Sequence, residues 1–212
     1  MEEELIARSA LRGKEYLHGF KAKASRQAEA IRSTLGLRTN DRLDTTALFE
    51  LLDLRRWGLS EVAEVDESLW VATAQLYVVD QSSFSGALVN RGGRRVVLIN
   101  DSHGVERQRA TETHEAAHAI LQHSNTPFLS GTKVRISDAR VEAEAGLLGR
   151  CLLISEAFTV ATARRNFAAS ANERREVIRE AASHMNVSTE LMQWAFNDAG
   201  AWKRAERSHS RR

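Results

Sequence analysis

Cysteine and proline are almost absent from this chain: Cys151 and Pro127 are the single examples of each among 212 residues. One cysteine excludes an intrachain disulfide framework and any zinc cluster built from several thiolates, and it fits a reducing, cytoplasmic setting. No apolar run approaches the roughly 20 residues that cross a bilayer, so no membrane partner is expected. The start, Met1-Glu2-Glu3-Glu4, lacks the basic residues and apolar stretch of a secretory signal. A dominant charge is missing too. Thirty Lys and Arg against 28 Asp and Glu leave a formal net charge of +2, which neither demands nor excludes nucleic acid. No internal repeat or low-complexity linker interrupts the chain. What is present suits one globular domain, with or without a small helical appendage: 42% hydrophobic residues supply a core.

Apolar spacing organises the rest. Residues 2 to about 36 read as helix, with Leu5, Leu11, Tyr16, Leu17, Phe20 and Ile31 recurring among charged residues. Gly36 and Arg38-Thr39-Asn40-Asp41 make a break, and Asp44 or Thr45 caps a second helix expected to run through Trp57. The middle changes character. Leu76-Tyr77-Val78-Val79, Gly86-Ala87-Leu88-Val89 and Arg95-Val96-Val97-Leu98-Ile99 read as short strands, the last two joined as a hairpin across Gly92-Gly93. Helices are expected from about Glu106 to His123, from Ser137 or Asp138 to Leu153, and beyond Ser155. The fold class is α+β, mostly helical with a small sheet. The segments are residues 1–40 as an N-terminal helix, 41–155 as the core, 156–202 as C-terminal helices and 203–212 as a basic, solvated tail.

One motif carries chemistry: His114-Glu115-Ala116-Ala117-His118. Residues four apart on a helix share a face, so His114 and His118 aim two imidazoles in one direction, as a tetrahedral zinc ion needs. Glu115, beside the first of them, can take a proton from water and pass it to a leaving amine. A helix with two solvent-facing histidines is the plain alternative. The surrounding Ala117, Ile120 and Leu121, which can pack this helix, argue against it. A catalytic zinc normally has three protein ligands and an open position. Glu142 and Glu144 on the next helix are the main choices for the third, and only one can face the metal because they point about 200° apart. Asp138 and His123 are weaker choices; five residues beyond His118, His123 should be turned away from the pair.

Several elements together resemble the ImmA/IrrE family of metallopeptidases. They are Phe84-Ser85-Gly86-Ala87-Leu88-Val89, then Val96-Val97-Leu98-Ile99-Asn100, then Glu106-Arg107-Gln108-Arg109-Ala110-Thr111. The motif helix follows, and then Val141-Glu142-Ala143-Glu144-Ala145-Gly146-Leu147-Leu148-Gly149. The resemblance spans roughly residues 25 to 155. It implies a zincin-like domain with one zinc held by His114, His118 and Glu142, with Glu115 catalytic. It also implies a protein substrate, characteristically a helix-turn-helix transcriptional repressor. Three departures stand out. Gly146 replaces the usual Asn or Asp one turn beyond the ligand, Leu148-Gly149 replaces Phe-Ala, and Ile154-Ser155 replaces Met-Pro.

Fainter signals have plain alternatives. Ala181–Trp194 looks like a helix-turn-helix with Ser188 as a cap. No Arg or Lys lies between Ser188 and Ala199 to meet DNA, so a structural hairpin is expected. The basic tail from Lys203 would be solvated; contact with nucleic acid is the sharper reading. His103 or Tyr77 could donate to a tetrahedral oxyanion, against the plainer view of a loop histidine and a strand tyrosine. The strand from Ser85 to Val89 could pair with an extended substrate. Cys151 and the tryptophans at 57, 70, 194 and 202 read as packing residues. The leading expectation is a zinc endopeptidase. Its rivals are a zinc-binding regulatory module that contacts a repressor or DNA without efficient proteolysis, and a small-molecule metallohydrolase.

Overall fold

The run Val96-Val97-Leu98-Ile99 has no alternation, which suits a strand covered on both sides. That is its place in the computed structural model, which describes residues 16–65, 74–79, 83–91, 93–123 and 138–210. In chain order the elements are α1 (Phe20–Thr34), α2 (Thr45–Leu51), β1 (Leu54–Gly58), α3 (Leu59–Val65), a π-helical turn (Gln75–Val79), β2 (Gly86–Arg91) and β3 (Arg94–Ile99). The long helix α4 (Val105–Ile120) follows, then α5 (Ala139–Leu153), α6 (Glu156–Arg165), α7 (Ala171–Met185), α8 (Thr189–Ala199) and α9 (Ala201–His209). The protein is α+β, mostly helical, with one three-stranded sheet in the order β1-β3-β2. The helix expected before Tyr16, Trp70, the turn at Gly92, Pro127, Ser137 and the last two arginines lie outside the described residues.

Contacts divide the chain into two units, Met1–Lys21 with Thr45–Gly149, and Ala22–Asp44 with Arg150–Arg212. In the first, β2 and β3 form the expected antiparallel hairpin, with Ala87 opposite Leu98 and Leu88 opposite Val97. Its other partner was not foreseen. The second helix stops at Leu51 rather than reaching Trp57, and Leu54–Gly58 pairs parallel to β3, Leu54 opposite Arg95 and Gly58 opposite Ile99. Asp53 makes the turn at φ +50°, a left-handed conformation that aspartate tolerates better than most residues. The adjacent charges Arg55 and Arg56 disguise the strand, which gains its stability from the ladder to β3. A second correction falls at Leu76–Val79, where a π-helical turn replaces the expected strand. There Leu76 and Tyr77 pack on Leu59, Phe84 and Ala87, and Asn100 Nδ2 donates to the Leu76 carbonyl at 3.2 Å. Tertiary contacts override the local β preference.

The second unit is helical among its described residues, and a charge sits inside it. Arg32 is 1% exposed. Its guanidinium donates to the carbonyls of Leu152 at 2.9 Å, Asp41 at 2.7 Å and Arg38 at 3.3 Å. Burial lowers its pKa, partly offset by Glu29 and Asp41. Helix ends here follow local chemistry: Ser155 and Ser188 accept from Phe158 N and Leu191 N, and Ser170 with Glu173 forms a capping box. The helical hairpin at Ala181–Trp194 is present as α7 and α8. Val187 and Met192 are buried in it, while Leu191 and Trp194 are only half-buried.

The basic segment from Lys203 is not an extended, solvated tail: α9 continues to His209. Ala201 and Ala205 are buried on one face, Arg204 pairs with Glu156, and the Arg174 guanidinium lies 4.6 Å from the Trp202 ring centre. Alternating charge with small residues at i, i+4 masks this amphipathic helix in the sequence.

Replacing Arg32 by Met keeps the apolar bulk but leaves buried carbonyls without donors. We expect Arg32→Met to destabilise the protein by roughly 3 kcal/mol, read as a lowered urea midpoint. An unchanged midpoint would show that the guanidinium contributes nothing net.

Candidate metal centre

Polar contacts and one close approach seat the first half of the motif helix against the sheet. Arg56 on β1 pairs with the buried Glu112 at 2.7 Å and reaches Gln108 at 2.8 Å, and Arg107 donates to Ser85 Oγ at 2.9 Å. Asn100, wholly buried at the end of β3, donates to the Phe84 carbonyl at 3.0 Å and so ties the start of β2 to β3. Gly86 is needed for the approach of α4 to β2, because a Cβ there would stand 2.5 Å from Thr111 Cγ2 and 2.9 Å from the Leu98 carbonyl oxygen. Arg56 and Glu112 went unnoticed in the sequence, since their partnership depends on the unforeseen strand β1.

On this helix His114 and His118 turn their Nε2 atoms toward one point, 3.0 Å apart. Glu142, from the first turn of α5, brings Oε2 to 3.1 Å from His114 Nε2 and 3.5 Å from His118 Nε2. Zinc bonds of about 2.0–2.2 Å at tetrahedral angles require donor atoms roughly 3.3 Å apart. The three observed separations bracket that value. All three side chains are half-buried, and together they are the group placed to hold a metal ion among the described residues. Burial alone would raise the Glu142 carboxyl. Hydrogen bonding to His114 and His118 and their charge more than reverse this and hold it well below the usual carboxylate range.

Glu144 takes a different direction. It is buried, with Oε2 3.9 Å from His123 Nε2, as expected for a residue two positions along a helix from Glu142. Asp138 caps the start of α5, accepting from Arg140 N at 2.9 Å. His123 requires a correction. It is not turned away: its Nδ1 lies 3.1 Å from His118 Nδ1. The expectation assumed a continuing helix, but α4 ends at Ile120 and Gln122 takes φ +55°. His123 N then bonds the His118 carbonyl at 3.0 Å and Gln122 N that of Ala119 at 3.3 Å, the paired bonds of a Schellman turn. Burial, then neighbouring His118, lowers the His123 pKa, with Glu144 and Glu142 partly opposing.

Glu115 is 6% exposed, and its Oε2 accepts from the backbone N–H of Leu88 at 2.8 Å. Asn100 N bonds the Ser85 carbonyl at 2.9 Å, and alternation along the antiparallel ladder then turns the Leu88 N–H away from β3, to the outer edge of the sheet. Beside this edge is a cleft of about 420 Å³ lined by Leu88, Asn90, Arg95, Gln122, His118 and His123. His103 is buried in the loop after β3, and Tyr77 packs against the Phe84 cluster; an oxyanion role for either remains an expectation.

Helix α5 can bring Glu142 to the histidines because Gly149 lies against α4. A Cβ there would stand 3.0 Å from the backbone of Thr113 and His114. Gly146, one turn earlier, is less crowded: its Cβ would be 3.9 Å from His114 Nδ1.

This combination of a motif helix, a flanking sheet and a His-His-Glu group is that of a metallopeptidase. The family model described as the IrrE N-terminal-like domain, a peptidase family, matches residues 73–196. The chain belongs to this ImmA/IrrE family of metallopeptidases. Neither the curated proteins nor the solved structures yield a match. No single helix among the described residues is long and apolar enough to cross a membrane.

The two glycines should respond differently to substitution. Gly149→Val should part α4 from α5 and lower metal affinity at least tenfold, whereas Gly146→Ala should be tolerated. Metal titration of both variants checks this, and equal affinities would refute the close-approach argument.

Proposed function

We propose that this chain is a zinc-dependent endopeptidase acting in the cytoplasm on a protein substrate, a helix-turn-helix transcriptional repressor. His114, His118 and Glu142 would hold the metal. The observation that carries the reading is the convergence of three donor atoms at 3.0, 3.1 and 3.5 Å, a donor set and spacing that would suit zinc. Bound zinc supplies Lewis acidity toward a carbonyl and toward water.

The remaining chemistry belongs to the chain. Glu115 takes the proton of the attacking water and delivers it to the leaving amine, serving as base and then as acid. The Leu88 N–H steadies its carboxylate. The substrate lies extended along the outer edge of β2, whose backbone groups are suited to pair with a peptide. The repressor identity rests on the family resemblance.

A second reading is favoured by one observation. Position 146 has no side chain, and a Cβ there would lie 3.9 Å from His114 Nδ1; the family resemblance implies Asn or Asp at this point, placed to support a ligand. A zinc-binding module that contacts its regulator without efficient proteolysis would fit a weakened site. Side-chain support of this kind commonly changes metal affinity or activity about 10–100-fold. Gly146→Asn should therefore raise zinc affinity, measured by chelator competition; no gain would remove the basis for this reading.

The decisive experiment incubates the zinc-loaded protein with the helix-turn-helix regulator encoded beside its gene. We expect site-specific cleavage that disappears in Glu115→Gln while zinc is retained. Cleavage at an undiminished rate in that variant would sink the mechanism. Glu142→Ala should lose zinc, and unchanged affinity there would overturn the ligand assignment.

A further inference from the structure

We infer that Glu144 and His123 form a positioning pair that orients His118 from behind, resting on the reading that His118 binds the metal through Nε2. The Nε2 of His118 faces His114 and Glu142, and its Nδ1 faces the other way, 3.1 Å from His123 Nδ1. A neutral imidazole bound through Nε2 carries its proton on Nδ1 and so needs an acceptor there. His123 Nδ1 supplies that acceptor. The His123 proton is then on Nε2, the atom that lies 3.9 Å from Glu144 Oε2. The two rings meet edge to face, their centres 5.1 Å apart.

Two features indicate that this arrangement is built rather than incidental. The Schellman turn brings His123 back onto His118, and it does so with Gln122 at φ +55°, where glycine is the usual residue. Left-handed backbone in a non-glycine residue persists only when the surroundings enforce it. Glu144 is 91% buried as a residue (9% exposed), and its Oε1 has no hydrogen-bond partner. Burying a carboxylate so poorly satisfied is unfavourable unless its charge is used nearby. His123 is the ionisable group it meets. The pair thereby supports one of the two histidine ligands from behind.

The test measures zinc affinity by chelator competition and the visible spectrum of the cobalt-substituted protein, for full-length His123→Ala, His123→Asn and Glu144→Gln. His123→Ala should lose about 10–100-fold in zinc affinity and show an altered cobalt spectrum. His123→Asn, which keeps an acceptor oxygen, should recover part of the loss. Glu144→Gln should weaken binding in the unaltered background and add nothing to His123→Ala. Unchanged affinity and spectrum in His123→Ala, with tight zinc binding by the unaltered protein, would overturn the positioning role alone. Failure of the unaltered protein to bind zinc would overturn the metal site and this pair together. Should His123→Ala not fold, Glu144→Gln decides: weakened binding supports the pair and unchanged binding overturns it.

Discussion

A Cβ at Gly149 would stand 3.0 Å from the backbone of Thr113 and His114, tighter than most such contacts, and this close approach of α5 to α4 sets how near Glu142 comes to the histidines. Helices usually pack with axes 8–10 Å apart, the distance set by side chains at the crossing. A glycine there reduces the separation. It lets the short carboxylate of Glu142, two turns earlier on α5, reach imidazoles carried by α4. A bulky residue at 149 would leave every ligand intact in the sequence and change how nearly α5 approaches α4.

The same logic of close approach operates on the other side of α4. Gly86 admits Thr111 against β2, and the edge strand then offers the Leu88 N–H to Glu115. Arg56 and Glu112 hold the helix to β1, while Asn100 ties the end of β3 to the start of β2 and to the π-helical turn. Most of these contacts join residues far apart in sequence, and those to Thr111, Glu112 and Glu115 fall in the motif or within one turn of it. The buried apolar face of the helix is mostly alanine, which packs closely but orients little. Charged and polar anchors supply the orientation.

Much of this was legible beforehand, for physical reasons that differ by element. The hairpin of β2 and β3 declares itself through β-branched residues around glycines, and α4 and α5 through helical spacing of small and apolar residues. The pairing of His114 with His118 follows from helix geometry alone. Elements that failed to declare themselves draw their stability from elsewhere. Strand β1 carries adjacent arginines, and its ladder is with residues some forty positions later. The turn at Gln75–Val79 has strand-like residues bent by packing and by Asn100. Helix α9 is charged along most of its length and is held through Ala201, Ala205 and pairs with α6 and α7.

The sequence by itself determined the metal-binding pair, the adjacent glutamate, the α+β class and the family, because all of these reside in local spacing or in ordered motifs. It left Glu142 and Glu144 as the main choices for a third donor, with Asp138 and His123 weaker, and helix geometry allowed only one of the two glutamates to face the pair. Only the tertiary structure decided which histidines and carboxylates meet: it brought Glu142 to the pair, sent Glu144 to His123, and folded His123 back onto His118. The reason is that these meetings depend on where a helix ends and how nearly two helices approach. A left-handed glutamine and a missing Cβ control those distances, and neither is expressed in the spacing of the chemically active residues.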